Sequence, residues 1–227
     1  MKFAAFETST EWCSVALWLD GELAGIEERA GHRHSELALP MLESLFIRKN
    51  ITIAELQAVA FGAGPGSFTG LRIACGVAQG IAFARGIPVI GISTLEALAE
   101  ESGAARAVAC LDARMHEVYY SALERSDGKR GGRWREVIPA LCAAPADLPK
   151  PPGEGWIGCG NGFAAYGKLG LDKVMPDIHP SALSVARLAA PRLAAGEGVD
   201  AALAAPVYVR DKVALTEAER AAMRASP

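Results

Sequence analysis

The sequence predicts an α/β protein of two lobes, the first built on a mixed sheet with helices on both faces. Two observations carry that reading. The first 104 residues run strand, strand, strand, helix, strand, helix, strand, helix, and near residue 105 the texture changes to short strands and Gly/Pro-rich loops. A third observation is room for a core: 51% of the 227 residues are hydrophobic and 22% charged, which suffices for one large domain or two small ones.

KFAAF (2–6) reads as a short buried strand. WCSVALWLD then alternates, with Cys13, Val15, Leu17 and Leu19 on one face and Ser14, Ala16 and Trp18 on the other. Asp20-Gly21 supplies the positive φ angles of a tight hairpin, and ELAGIEE returns as a third antiparallel strand. In SELALPMLESLFIRK (35–49), Leu37, Met41, Leu42, Leu45 and Phe46 recur at helical spacing, with Pro40 either tolerated near the start or kinking the helix. LQAVAFGAG (56–64) is a continuous apolar run, as expected of a strand covered on both faces. A helix follows from about Leu71 to Arg85, stopped by Gly86, and IPVIGIS (87–93) is another buried strand. Thr94 is placed to cap the helix beginning LEALAEE, with Ala97 where a capping box wants Glu or Gln.

Beyond residue 105, RAVACLDARMHEVYYSALE (106–124) reads as two strands around a turn, followed by a polar Gly/Arg-rich loop and a Pro-rich stretch, PADLPKPPGEG (145–155). GWIGCGNGF is a strand entering a glycine turn with a short helix after it, and SALSVARLAAPRLAAG (181–196) returns to helical spacing. PVYVR (206–210) is extended, and the charged, alanine-rich tail beyond it is expected to fray. The expected lobes are 1–104 and 105–227, with part of the C-terminal segment packing back on the first. No internal repeat is visible in the sequence.

A net charge of −3 provides no global basic field, so the chain by itself is not expected to grip nucleic acid. A local exception is KRGGRWR (Lys129, Arg130, Arg133, Arg135), whose first reading is a solvated loop. The cysteines at 13, 75, 110, 142 and 159 are odd in number, far apart and without a C-x-x-C pair. Buried reduced thiols in a reducing cytoplasm fit that pattern better than disulfides or zinc. MKFAAFETST lacks the apolar region of a secretory signal, and no apolar run reaches membrane-spanning length.

The glycine loop FGAGPGSFTG (61–70) invites a phosphate-binding reading, and three specific forms of it fail. A Walker loop ends in Lys-Ser/Thr, whereas Gly70 is followed by Leu71 and Arg72. A dinucleotide fingerprint needs two residues between its last glycines, and three separate Gly66 from Gly70. A nucleophile elbow needs glycines two positions either side of its serine, where Ser67 has Pro65 and Thr69.

The helix after the loop says more. On a wheel of about 100° per residue, Ile73, Gly76, Val77, Gly80, Ile81 and Ala84 form one stripe, and only Arg72, Gln79 and Arg85 are polar. A helix apolar nearly all round has to be covered nearly all round. Two interior glycines cost roughly 1 kcal/mol each against alanine, so a close approach by another surface is expected to offset them. Either the rest of this chain or a second molecule supplies the cover.

Catalytic constellations are missing at the spacings that would mark them. His32 and His34 precede the first helix, but the position one turn after His34 is Ala38, so no helical histidine pair for a metal forms there. His116 and His179 are isolated, and Glu7-Thr8-Ser9-Thr10 and Asp112-Ala113-Arg114 read as polar turns.

ETSTEWCSVALW, HSELALPML, GAGPGSFTGLRIACGVAQGIA, IGISTLEALA, LDARMHEVYY and PVYVR, in that order, make the chain resemble the TsaB family. The likeness is weakest over 125–180 and the tail. It implies an actin-like, Hsp70-like (ASKHA) fold of two RNase-H-like lobes. It implies a non-catalytic dimerisation subunit, without cofactor or metal, for a TsaD-like enzyme that makes threonylcarbamoyladenosine in tRNA. The partners implied are that catalytic subunit, a TsaE-like ATPase in a larger complex, a second copy when the chain is alone, and tRNA indirectly; the implied location is the cytoplasm. The interface expected from the resemblance uses Leu37, Met41 and Leu45 with Ile73, Gly76, Val77, Gly80 and Ile81. Lys129, Arg130, Arg133 and Arg135 are the residues expected to meet tRNA if this chain touches it. Glu7, where the family more often has aspartate, is expected to crowd a phosphate at the first turn. The rival expectation is a stand-alone nucleotide- or metal-dependent enzyme, an actin-like phosphotransferase or a peptidase.

Overall fold

The computed structural model describes residues 1–126 and 130–210. Strands β1 (Lys2–Glu7), β2 (Trp12–Leu19) and β3 (Glu22–Arg29) form an antiparallel meander. Helix α1 (His34–Lys49) then leads to β4 (Ala58–Gly64), which lies parallel to β1; α2 (Phe68–Arg85) crosses to the parallel β5 (Val89–Ser93), and α3 (Thr94–Ser102) closes the half. The sheet order is β3-β2-β1-β4-β5. Asp20 and Gly21 take the left-handed φ of 52° and 106° that the hairpin requires.

The second half repeats this plan. β6 (Arg106–Arg114), β7 (Glu117–Arg125) and β8 (Trp134–Ala143) form a meander, and β9 (Ile157–Cys159) runs parallel to β6. The short α4 (Gly162–Tyr166) crosses to β10 (Lys173–Met175), and α5 (Ala182–Ala194) follows, giving the order β10-β9-β6-β7-β8. Each sheet therefore reads third, second, first, fourth, fifth strand of its own half. The duplication is one of hydrogen-bonded topology, which many sequences satisfy, and this is why no repeat shows in the residues.

Local details differ from the sequence reading at three points. Helix α2 starts three residues early, at Phe68, because the Ser67 hydroxyl accepts the Gly70 N–H at 3.4 Å. Ser93, and not Thr94, caps α3 by accepting the Glu96 N–H at 3.4 Å, which leaves the Thr94 hydroxyl free to turn into the interior. Strands β8 and β10 occupy stretches where the sequence reading placed no strand. β8 is half-exposed along most of its length and contains Pro139, which an edge strand tolerates, so it lacks the apolar run of a central strand.

Alternation along the strands makes a layered molecule. Ala4, Phe6, Val15, Leu17, Val59 and Phe61 face α1 and α2, while Phe3, Ala5, Ala16 and Ala60 face the other way, into a core shared with α3, α5 and the second sheet. Val108, Cys110, Val118 and Tyr120 on the far face of the second sheet meet Trp156 and Phe163. Helix α5, from the second half, packs on the first sheet: Ala182 donates its N–H to the Ser14 hydroxyl at 3.0 Å, and Leu183 fills the space a side chain at Gly25 would need.

Candidate interface helix and interlobe cleft

The N-cap at Ser67 fixes the start of α2 and Gly86, at φ 64°, fixes its end. Between them the helix has three different surroundings. Leu71, Ala74, Cys75, Ala78, Ile81 and Ala82 are buried against the first sheet. One flank is tied to the C-terminal segment. Gln79 Nε2 donates to the carbonyls of Ala204 at 3.0 Å and Ala201 at 3.2 Å, and the Cys75 thiol points at Ala204 O at 3.6 Å. The outer face is open. A Cβ added at Gly76 or at Gly80 would meet no atom within 4 Å, and Phe83 is 80% exposed.

This placement revises part of the expected interface. Ile73 and Val77 are half-buried beside the two glycines, and Leu37 is half-buried on α1. Met41, Leu45 and Ile81, however, lie in the chain's own core at 7%, 2% and 7% exposure. The sheet takes a wider arc of both helices than the stripe drawn on the wheel allowed, and Ile81 at its margin rolls inward. The exposed apolar residues of α1 are instead Leu39 and Ile47.

A cleft of about 750 Å³ lies between the lobes. Its first-lobe wall is the turn after β1 (Ser9, Thr10) and the loop Pro65-Gly66-Ser67; its second-lobe wall is Asp112, Arg114 and Asn161. Close backbone packing shapes the first wall: the Ser67 N–H donates to Ser9 O at 2.7 Å, and a Cβ at Gly70 would fall 1.9 Å from Thr8 O. Arg114, Met115 and His116 in the β6–β7 turn all have positive φ, at 63°, 54° and 60°. Val207, Tyr208, Val209 and Arg210 form the remaining side.

Glu7 does not project into the cleft. Its carboxylate lies beneath the turn, fully buried, accepting the Ser9 N–H at 2.7 Å and facing the Thr94 hydroxyl at 3.5 Å. Gly62 makes room for it, since a Cβ there would come within 1.9 Å of Glu7 Oε2. The expected crowding of a phosphate is thus corrected: the longer side chain is absorbed over a glycine of β4. Burial raises the Glu7 pKa, opposed by the hydrogen bonds from Ser9 and Thr94.

The other polar candidates are mostly paired within the fold. His34 is buried with Nε2 2.9 Å from Thr10 O, which ties α1 to the first turn, and His179 stacks on Trp12 with ring centroids 4.2 Å apart. Among the described residues no group of three or more His, Cys, Asp and Glu is placed to hold a metal ion. All five cysteines are free thiols, and burial pushes Cys13 up to about 11 and Cys110 up to about 12, which leaves both as unreactive thiols at neutral pH. Of the arginine-rich loop, Arg133 is paired with Glu197 and Arg135 with Glu124; Arg130 lines a recess with Trp18 and Arg187, and Lys129 lies outside the described residues. Among the described residues no helix is long and apolar enough to cross a membrane.

Two five-stranded mixed sheets of the same order, with helices around them and a cleft between, define an actin-like, Hsp70-like protein of two RNase-H-like lobes. Residues 26–154 match the family described as TsaD, tRNA N6-adenosine threonylcarbamoyltransferase. The tRNA threonylcarbamoyladenosine biosynthesis protein TsaB of Escherichia coli is 36% identical, with 94% of this chain and 96% of that protein covered. The protein of the same name from Haemophilus influenzae is 37% identical, covering 92% and 93%. The solved structure of YeaZ from Pseudomonas aeruginosa superposes with a TM-score of 0.85 at 36% identity, over 91% of this chain and 99% of that one. The chain belongs to the TsaB family.

Proposed function

We propose that this chain is an accessory, non-catalytic subunit in the synthesis of threonylcarbamoyladenosine in tRNA, presenting α2 to a TsaD-like catalytic partner. The names carried by its relatives support the pathway. The single observation that supports the mode of action is the open outer face of α2, where Gly76 and Gly80 leave a strip of bare backbone beside Ile73, Val77 and Phe83. Two glycines one turn apart let a second helix approach closely, so that dispersion contacts and apolar burial replace the helix stability the glycines give up. On α1 the half-buried Leu37 is the expected residue left to extend this face. In this reading the chain forms a homodimer when alone, exchanges it for the catalytic partner, joins a TsaE-like ATPase in a larger assembly, and works in the cytoplasm. Contact with tRNA is indirect, since Arg133 and Arg135 already have acidic partners.

The test is the double substitution Gly76→Leu/Gly80→Leu. Because neither new side chain meets an atom of its own chain in its first bond, the fold is expected to survive. Sedimentation should show loss of the dimer, and a modification assay with the TsaD-like partner should lose its stimulation. An unchanged mass and unchanged stimulation would place the interface elsewhere.

A further inference from the structure

We infer that residues 205–210 are a built-in strap that narrows the interlobe cleft and is released without unfolding either sheet. The C-terminal segment divides into a firm part and a weakly held part. Val199 pairs with Val89 at the edge of the first sheet through two backbone hydrogen bonds of 2.8 and 2.9 Å, and Ala201 and Ala204 are buried beside α2. After Ala204 the chain leaves this seat and crosses the cleft.

The crossing is held at three points. The Val207 N–H donates to Ala63 O at 2.7 Å, and the Val207 carbonyl lies 2.5 Å from where a Cβ on Gly64 would stand, so the strap uses space that only glycine leaves free. Tyr208 accepts a hydrogen bond from Arg72 Nε at 3.2 Å and tilts against Phe68 with ring centroids 5.4 Å apart. Arg210 reaches the second lobe, donating to Ala113 O at 3.0 Å and pairing with Glu117, across the turn whose three consecutive residues have positive φ. The strap thus joins the end of β4 and the first turn of α2 to the β6–β7 turn, and its last four residues form one side of the cleft.

Two of its side chains are poorly buried, while that of Arg210 is 16% exposed. Val207 is 54% exposed and Tyr208 48%. Apolar burial contributes little to such a segment, and segments held by a few partly exposed polar contacts open at far lower free energy than the sheets beneath them. The two lobes do not need the strap to stay together, because α3, α5 and both sheets share one core. Release would therefore widen the cleft and leave the fold intact. A molecule too large for the present opening between the lobes would have to displace residues 205–210.

The experiment follows a thiol placed in the cleft of the full-length chain. Ser9 lines the cleft and is 3% exposed, and Ser9→Cys is close to isosteric. Alkylation with N-ethylmaleimide, read by peptide mass spectrometry, is compared with and without Tyr208→Ala/Arg210→Ala. The expected result is a rise of about tenfold or more in the labelling rate at position 9. Hydrogen exchange should accelerate at the amides of residues 112–117, while β1 and β4 stay protected. Equal labelling rates in the two backgrounds, fast or slow, would overturn the inference. If the double substitution unfolds the protein, Val207→Pro replaces it: proline deletes the one N–H that bonds Ala63 and keeps both anchoring side chains. The same rate increase is expected there, and unchanged labelling in a folded Val207→Pro chain overturns the strap equally.

Discussion

At the end of β1 the Glu7 carboxylate is held under its own turn by the Ser9 N–H, in a space cleared by Gly62. Two consequences belong to this pair. Burial raises the folded-state pKa of Glu7 above that of the unfolded chain, so folding favours the protonated form. Its contribution is complete below the ordinary carboxylate range and is lost as pH rises through the raised folded value. Glu7→Gln cannot ionise, and its melting temperature relative to the parent chain is expected to climb as pH rises above the ordinary carboxylate range; a flat difference would show that the buried carboxylate is fully compensated. Gly62→Ala drives a methyl group into Glu7 Oε2 and should cost about 2–3 kcal/mol in denaturant unfolding. Adding Glu7→Ala removes the atom that is struck, so the double mutant should recover a large share of that loss, a coupling above about 1 kcal/mol.

Helix α2 is served by its sequence in conflicting ways. Gly76 and Gly80 stand in open space, where alanine would find room and a better helix propensity. Gly76→Ala and Gly80→Ala are each expected to stabilise the dilute, isolated chain by about 1 kcal/mol. The proposed helix-to-helix approach would be pushed apart by the same methyl groups, so self-association measured by sedimentation equilibrium should weaken as stability rises. Movement of both quantities in the same direction would argue against the outer face of α2 as the contact. The sheet-facing side of α2 was legible as apolar spacing, but which of Ile73, Val77 and Ile81 points outward was not. A wheel gives angles around one helix and is silent about how wide an arc the sheet takes.

Across the whole molecule the two sheets are expected to unfold as one unit, because Phe3, Ala60, Leu98, Ala109 and Leu188 belong to a single continuous core. A buried polar cluster reinforces the seam. Glu100 of α3, fully buried, accepts from Arg125 Nη1 at 2.7 Å, from the Gly131 N–H at 2.9 Å and from Trp134 Nε1 at 3.3 Å, so a helix of the first half is fastened to strands of the second. Glu100→Ala takes the shared acceptor away from the Arg125 guanidinium, the Gly131 N–H and the Trp134 indole, and should cost about 3 kcal/mol. Tryptophan fluorescence and far-UV circular dichroism should still report coincident transitions, with the midpoint lowered. Two separated transitions would show that the lobes hold themselves together independently.

The sequence by itself determined the order of elements in the first lobe, the two-strand start of the second, the free thiols, and the family through motifs spread along the chain. These are properties of local spacing, turn chemistry and residue identity. Only the tertiary structure decided that both halves share one strand order, that α5 is a part of the C-terminal half lying on the first sheet, and that Glu7 lies under its turn while residues 207–210 line the cleft. Each of those rests on contacts between residues tens to hundreds of positions apart, and periodicity along the chain carries no information about which distant surfaces meet.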